Sequence, residues 1–242
     1  MAQLAHVRAV EVRHVKASDS SHSVTVRVTH WITTISFLLL LLSGIAILLA
    51  HPRLYWGETG AVGAPSLIDL PLPFVLNVPI RGPGRYLHFL SAWMLVITGL
   101  VYVVSGILTH HFRQNLLPDK THLSGEAIRQ VVSDHLRIKR SAKRDAHPYN
   151  LLQRLTYLFV IFGLVPLMIW TGLAMSPGFT SVFPAVVSAL GGHQAARTIH
   201  FFVAVALVVF LIIHIAMVWL AGLKHRVIAM VTGRTASGTD CP

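Results

Sequence analysis

The chain has 242 residues, 54% of them hydrophobic and only 12% charged. Soluble domains carry about 25% charged residues, so the composition excludes an ordinary soluble protein and indicates a membrane one. A single cysteine, Cys241, excludes an internal disulfide, a multi-cysteine zinc site and an iron–sulfur cluster held by this chain alone.

Residues 1–29 form a polar segment without the apolar stretch and small-residue cleavage site of a secretory signal, and are expected to be a retained cytoplasmic arm. A helix needs about 20 apolar residues to cross the hydrocarbon core. Four segments meet that length, at about 31–50, 86–108, 155–175 and 198–221, within a domain of residues 30–222. The first span leads into a Pro- and Gly-rich loop, His51 to Gly84, where Tyr55 and Trp56 are placed for a membrane interface. Gly82, Pro83 and Gly84 mark the start of the second span. Pro166 predicts a kink in the third, and Pro177 and Gly178 close it. Residues 223–242 complete the chain as a tail.

The net charge of +11 would suggest nucleic acid in a soluble protein, but its distribution reports orientation. Sixteen of the 20 Lys and Arg residues fall in the N-terminal arm, the connection between spans two and three, and the tail. Arg53, Arg81, Arg85 and Arg197 fall on the other side. By the positive-inside rule both termini are cytoplasmic. The expected fold is an all-α, integral membrane four-helix bundle, whose basic loop meets anionic lipid.

Most of the 15 histidines lie in polar segments, where solvation is the default. His110 and His111 end the second span at the expected cytoplasmic face. His30, His88, His200 and His214 lie within or at the edge of apolar spans, where an ionisable side chain is expensive and usually functional. Because the spans alternate in direction, His30 and His214 share one depth and His88 and His200 the other. His200 and His214 are fourteen residues apart, about 21 Å along a helix and within roughly 40° of one face. The chain therefore offers two stacked imidazole pairs: His88 with His200 towards the outside, and His30 with His214 towards the inside.

Zinc would want a third or fourth ligand at each level, and no Cys, Asp or Glu lies in any of the four spans. Haem iron takes two axial ligands from opposite sides, and bundle cores hold such cofactors. Two bis-histidine b-type haems fit this supply, while the lack of a CxxCH motif argues against c-type attachment. An RxxH pattern recurs at Arg27–His30, Arg85–His88 and Arg197–His200, which puts each arginine one turn nearer the membrane surface on its histidine's face. Haem propionates would emerge there, and Arg binds carboxylates bidentately; interfacial snorkelling would also place arginines so. Gly44, Gly99 and Gly106 suit close approach of a helix or a flat macrocycle, and plain helix packing predicts them equally.

With these residues in hand, the chain resembles the dihaem cytochrome b membrane subunits of respiratory oxidoreductases: the cytochrome b of nickel–iron hydrogenases, the formate dehydrogenase gamma subunit and the thiosulfate reductase cytochrome b. The order of one, one, no and two span histidines is that family's pattern. The strings HPRLYWGE, GRYLHFLSAW, YNLLQRLTYL, TGLAMSPG and AMVTGR are similar to the thiosulfate-reductase-like branch. The resemblance implies electron transfer across the bacterial inner membrane between quinone and a periplasmic, molybdopterin-dependent partner subunit. It further implies exchange with the partner at His88–His200 and with quinone near His30–His214; His110, His111 and Arg27 are the candidates to line that site. Two alternatives stand beside it: a free-standing dihaem quinone reductase, and a proton channel or transporter relaying protons through its histidines.

Overall fold

The computed structural model describes residues 23–60, 63–70, 83–110, 112 and 151–233. Among these residues four helices are long and apolar enough to cross a membrane, and the only strands are two residues each. The fold is all-α, as expected.

The first helix, α1, runs Val24–Ala50. It opens within residues 1–29, the segment expected to be a cytoplasmic arm. The Ser23 hydroxyl accepts the Val26 N–H at 3.3 Å and caps the helix. The Thr29 hydroxyl then returns to the Thr25 carbonyl at 2.8 Å. The Ser23 carbonyl accepts the Arg27 amide at 3.1 Å, so Ser23 serves the first turn with both its side chain and its backbone. The rest of the expected arm lies outside the described residues.

The second long helix, α2, spans Pro83–Leu108. Proline suits its first position, where an N–H would find no partner in the helix. α1 and α2 lie side by side and antiparallel, Ser43 of α1 meeting His88 of α2. Between α1 and α2 the chain makes a two-stranded antiparallel ribbon. β1 (Arg53–Leu54) pairs with β2 (Ile68–Asp69), and an exposed Arg53–Asp69 ion pair at 3.1 Å closes it.

The third span is a composite. α3 (Leu151–Phe159) passes through one π-helical turn, Val160–Leu164, into α4 (Val165–Ala174). Pro166 has no N–H for the Phe162 carbonyl, and the widened turn just before it absorbs the mismatch without ending the helix. Two short helices, α5 (Pro177–Thr180) and α6 (Ala185–Ser188), lead to the longest, α7 (His193–Leu220).

The α1–α2 connection caps the start of α7. The Gly57 carbonyl accepts the Gln194 and Ala195 amides at 2.9 and 3.2 Å, and the Glu58 carboxylate accepts the His193 amide at 3.4 Å. Negative groups are favourable at a helix N-terminus. Gly192, at φ +112°, lies so close to the Gly57 backbone that a Cβ would stand 2.6 Å from it.

The segment from 223 on, expected to be a cytoplasmic tail, begins with a helix, α8 (Leu223–Thr232). Gly222 at φ +95° turns the chain out of α7, and Gly233 at φ +78° ends α8.

The packing is inverted relative to a soluble protein. Leu38, Leu42, Trp93, Ile97 and Ile212 face outward, whereas Ser36, Ser43, Ser91, Thr98, Thr171 and Thr198 are buried. Large apolar groups meet lipid while small and hydroxylated residues let helices approach closely. One apolar cluster of Val160, Val203 and Leu207, with Phe37, Met168 and Phe210 against it, ties the third span to α7 and α1.

Candidate functional site

α7 faces both α1 and α2, and each contact brings two histidines together. His30 of α1 and His214 of α7 have ring centroids 6.4 Å apart, with the rings tilted by 57°. His88 of α2 and His200 of α7 have the same 6.4 Å separation and a tilt of 59°. These are the two pairs expected from depth alone. One metal ion bound between two imidazoles at about 2.0 Å per nitrogen separates the ring centroids by about 6.3 Å. The separation therefore suits a single ion shared by each pair, such as the iron of a haem.

The surroundings of the pairs differ. At His88, the Ser43 hydroxyl lies 3.0 Å from Nδ1. At His200, the Thr171 hydroxyl lies 2.9 Å from Nδ1. The next residue is a glycine in both cases. A Cβ on Gly44 would stand 3.6 Å from His88 Cε1, and one on Gly172 3.6 Å from His200 Cε1. Each imidazole thus lies against a hydroxyl–glycine step of the adjoining helix.

The His30–His214 level is built from rings. Phe210 stacks on His214 at 5.8 Å and 26°, and Tyr157 meets it edge-on at 6.2 Å. Trp31 lies edge-on to His30 at 5.6 Å. His214 Nδ1 is buried with no hydrogen-bond partner among the described residues.

The three arginines are placed less uniformly than their shared spacing suggests. The Arg27 guanidinium donates to the Val231 carbonyl at 3.0 Å, in the last turn of α8, and Trp31 Nε1 donates to the adjacent Met230 carbonyl at 3.4 Å. Arg27 Nε is buried without a partner among the described residues. Arg197 donates to the carbonyl of His51, the residue that ends α1. Two of the arginines thus serve helix C-termini, where cations are favourable. Arg85 is exposed and makes no hydrogen bond or ion pair among the described residues.

Sequence reasoning missed Ser43, Thr171, Gly172, Tyr157 and Phe210. A usable signal was present in the Ser43-Gly44 and Thr171-Gly172 steps inside otherwise apolar spans. Of the three glycines singled out, Gly44 touches a site histidine, Gly106 lies against Phe112, and Gly99 faces open space. His110, in the turn two residues past the end of α2, is at φ +55° and exposed, while His111 lies outside the described residues.

Four apolar helices of membrane-spanning length, with two imidazole pairs between them, define the class: a multi-span membrane protein. Residues 21–233 match the family described as prokaryotic cytochrome b561, and the chain belongs to that family. It is similar to the "putative protein-methionine-sulfoxide reductase subunit YedZ1" of Azospira oryzae, 33% identical over 213 residues, covering 88% of this chain and 96% of the relative. No solved structure matches. Membership makes the chain a multi-pass membrane cytochrome of b type, with haem as its cofactor and transmembrane electron transfer as its work.

Proposed function

We propose that the chain is a dihaem b-type cytochrome subunit of the bacterial inner membrane, carrying electrons between the quinone pool and a periplasmic redox partner. His88 and His200 would hold one haem, and His30 and His214 the other. The observation that carries this reading is the duplicated geometry: two imidazole pairs at one and the same 6.4 Å separation, fourteen residues apart on a shared helix. Haem supplies one-electron chemistry whose potential depends on axial ligands, hydrogen bonding and burial. The chain's own part is to hold the rings, exclude water with lipid-facing apolar side chains, and set two depths for the charge.

The distribution of lysine and arginine supports cytoplasmic termini, which puts His88–His200 on the periplasmic side. The relative's name as a reductase subunit supports a partner subunit there. The resemblance to respiratory cytochrome b subunits favours a molybdopterin-dependent one. Arg85, exposed one turn before His88, is the arginine best placed for a propionate, whereas Arg27 and Arg197 are engaged by helix carbonyls.

Quinone would exchange electrons near His30–His214. Supporting this is a cavity of about 210 Å³ at that end of α1, lined by Ser23, Thr25, Tyr102, Ser105 and Thr109. Its hydroxyls suit a quinone's carbonyls, and it lies close to Arg27 and His110 in sequence.

The test is a pyridine haemochrome assay on the purified wild type and on His30→Ala, His88→Ala, His200→Ala and His214→Ala. Two haems per wild-type chain are expected, with one missing from each variant. Retention of both haems in any variant removes that residue from the ligand set. Isolation from native membranes addresses the partner, since a chain that turns over with no periplasmic subunit attached would favour the free-standing alternative.

A further inference from the structure

Ser43 and Thr171 lie on different helices and make the same arrangement with the same histidine pair. Each hydroxyl sits beside an Nδ1, at 3.0 Å for His88 and 2.9 Å for His200. Each also lies within bonding distance of the carbonyl one turn back on its own helix, Leu39 at 2.6 Å and Leu167 at 2.9 Å. A hydroxyl has one hydrogen and two lone pairs. The helix carbonyls can only accept, so they take the hydroxyl hydrogen. The oxygen is then left to accept from the imidazole. Nδ1 must carry the ring's hydrogen, and the lone pair available to a metal is on Nε2.

We propose that Ser43 and Thr171 are positioning residues for the His88–His200 haem. They fix both imidazoles in the Nδ1–H tautomer, aim Nε2 at the iron, and lower the reduction potential of that haem. The inference rests on the reading of the pair as axial ligands. An acceptor on Nδ1–H draws the proton away from the ring and leaves it more electron-rich, which favours the ferric state. Gly44 and Gly172 keep each ring seated, because a side chain beyond a methyl would enter the ring's space. Both Ser43 and Thr171 are buried, and the Leu40 and Met168 carbonyls, which can only accept, also bond the His88 and His200 rings, in keeping with a ring N–H on that side. The other pair is not built this way, since His214 Nδ1 has no hydrogen-bond partner among the described residues.

The experiment uses the full chain purified with its haems, as wild type, Ser43→Ala, Thr171→Val, and the conservative Ser43→Thr and Thr171→Ser. Haem content, a potentiometric titration of the haem bands, and the low-spin ferric EPR signals are recorded for each. In Ser43→Ala and Thr171→Val one haem should rise in potential and change its EPR anisotropy, while the other stays put. The conservative variants should return both readouts towards wild type.

Two haems with unmoved potentials and spectra in both hydroxyl-free variants would overturn the inference and leave the ligand assignment standing. Should Thr171→Val lose a haem, Thr171→Ser decides: a retained haem shows that the hydroxyl is required, and a lost one shows that packing alone matters and overturns the inference. A wild-type chain without haem overturns the ligand reading and this inference with it.

Discussion

The two histidine levels share a ring separation of 6.4 Å and nearly the same tilt, yet almost nothing else around them is alike. At His88–His200 each Nδ1 meets a hydroxyl anchored to its own helix. At His30–His214 the neighbours are Trp31, Tyr157 and Phe210, and His214 Nδ1 is an orphan among the described residues. The separation is a property of helix spacing, which α7 imposes on both levels at once. The polarity around the imidazoles is a local property, set by single residues of the neighbouring helices. Two cofactors of one chemical kind can in this way be held alike and tuned apart.

Removing a ring should break one level and spare the other. His200→Ala is expected to lose one of two haems and keep the signals of the second, and His214→Ala to do the reverse, as read by haem content and EPR. Loss of both haems from either variant would show that the levels assemble as one unit. A smaller contrast separates glycines of the same type. Gly172→Leu should displace the His200 ring and lose the haem at that level, whereas Gly99→Leu, which meets open space, should retain both. Gly44→Ala should be nearly silent, because its methyl would make only an ordinary contact 3.6 Å from His88.

The four spans were legible because twenty-residue apolar runs have few other uses, and the pairs were legible because alternating helix direction converts sequence position into depth. The hydroxyl partners were not. Serine and threonine in a helix commonly bond back to their own carbonyls, and Ser43 and Thr171 do so while also reaching a histidine. Nothing in their immediate sequence marks the second bond beyond a following glycine. The partners of the arginines were hidden in a different way. Their RxxH spacing is real, but Arg27 bonds a carbonyl 204 residues away and Arg197 one 146 residues away. Long-range partners of flexible side chains leave no local pattern. The early start of α1 escaped notice because Arg27 made the segment look polar, although Ser23 is a serviceable cap.

The aromatic surroundings of His214 offer a weaker lever than any ligand. Phe210→Leu keeps the apolar bulk and removes the stacked face, which should cost about 0.5–1.5 kcal/mol of local contact energy. Both haems should be retained, with a changed EPR signal for the His30–His214 level alone and a slightly lower melting temperature. A change confined to the other level would contradict the assignment of Phe210 to His214.

The smallest effects are expected from the arginines, and they discriminate most finely between the two ends of the bundle. Arg197→Gln removes a cation from the C-terminus of α1 and should cost about 0.3–1 kcal/mol, seen as a small drop in melting temperature with both potentials unchanged. Arg27→Gln should do the same at the C-terminus of α8. Arg85 has no such carbonyl to serve among the described residues, so its replacement should leave the melting temperature alone. If its guanidinium meets a propionate of the His88–His200 haem, Arg85→Gln leaves a carboxylate unpaired and should lower the potential of that haem. The other haem should not move. A shift in Arg197→Gln instead would transfer the propionate contact to Arg197, and would mean that its bond to the His51 carbonyl gives way when haem is bound.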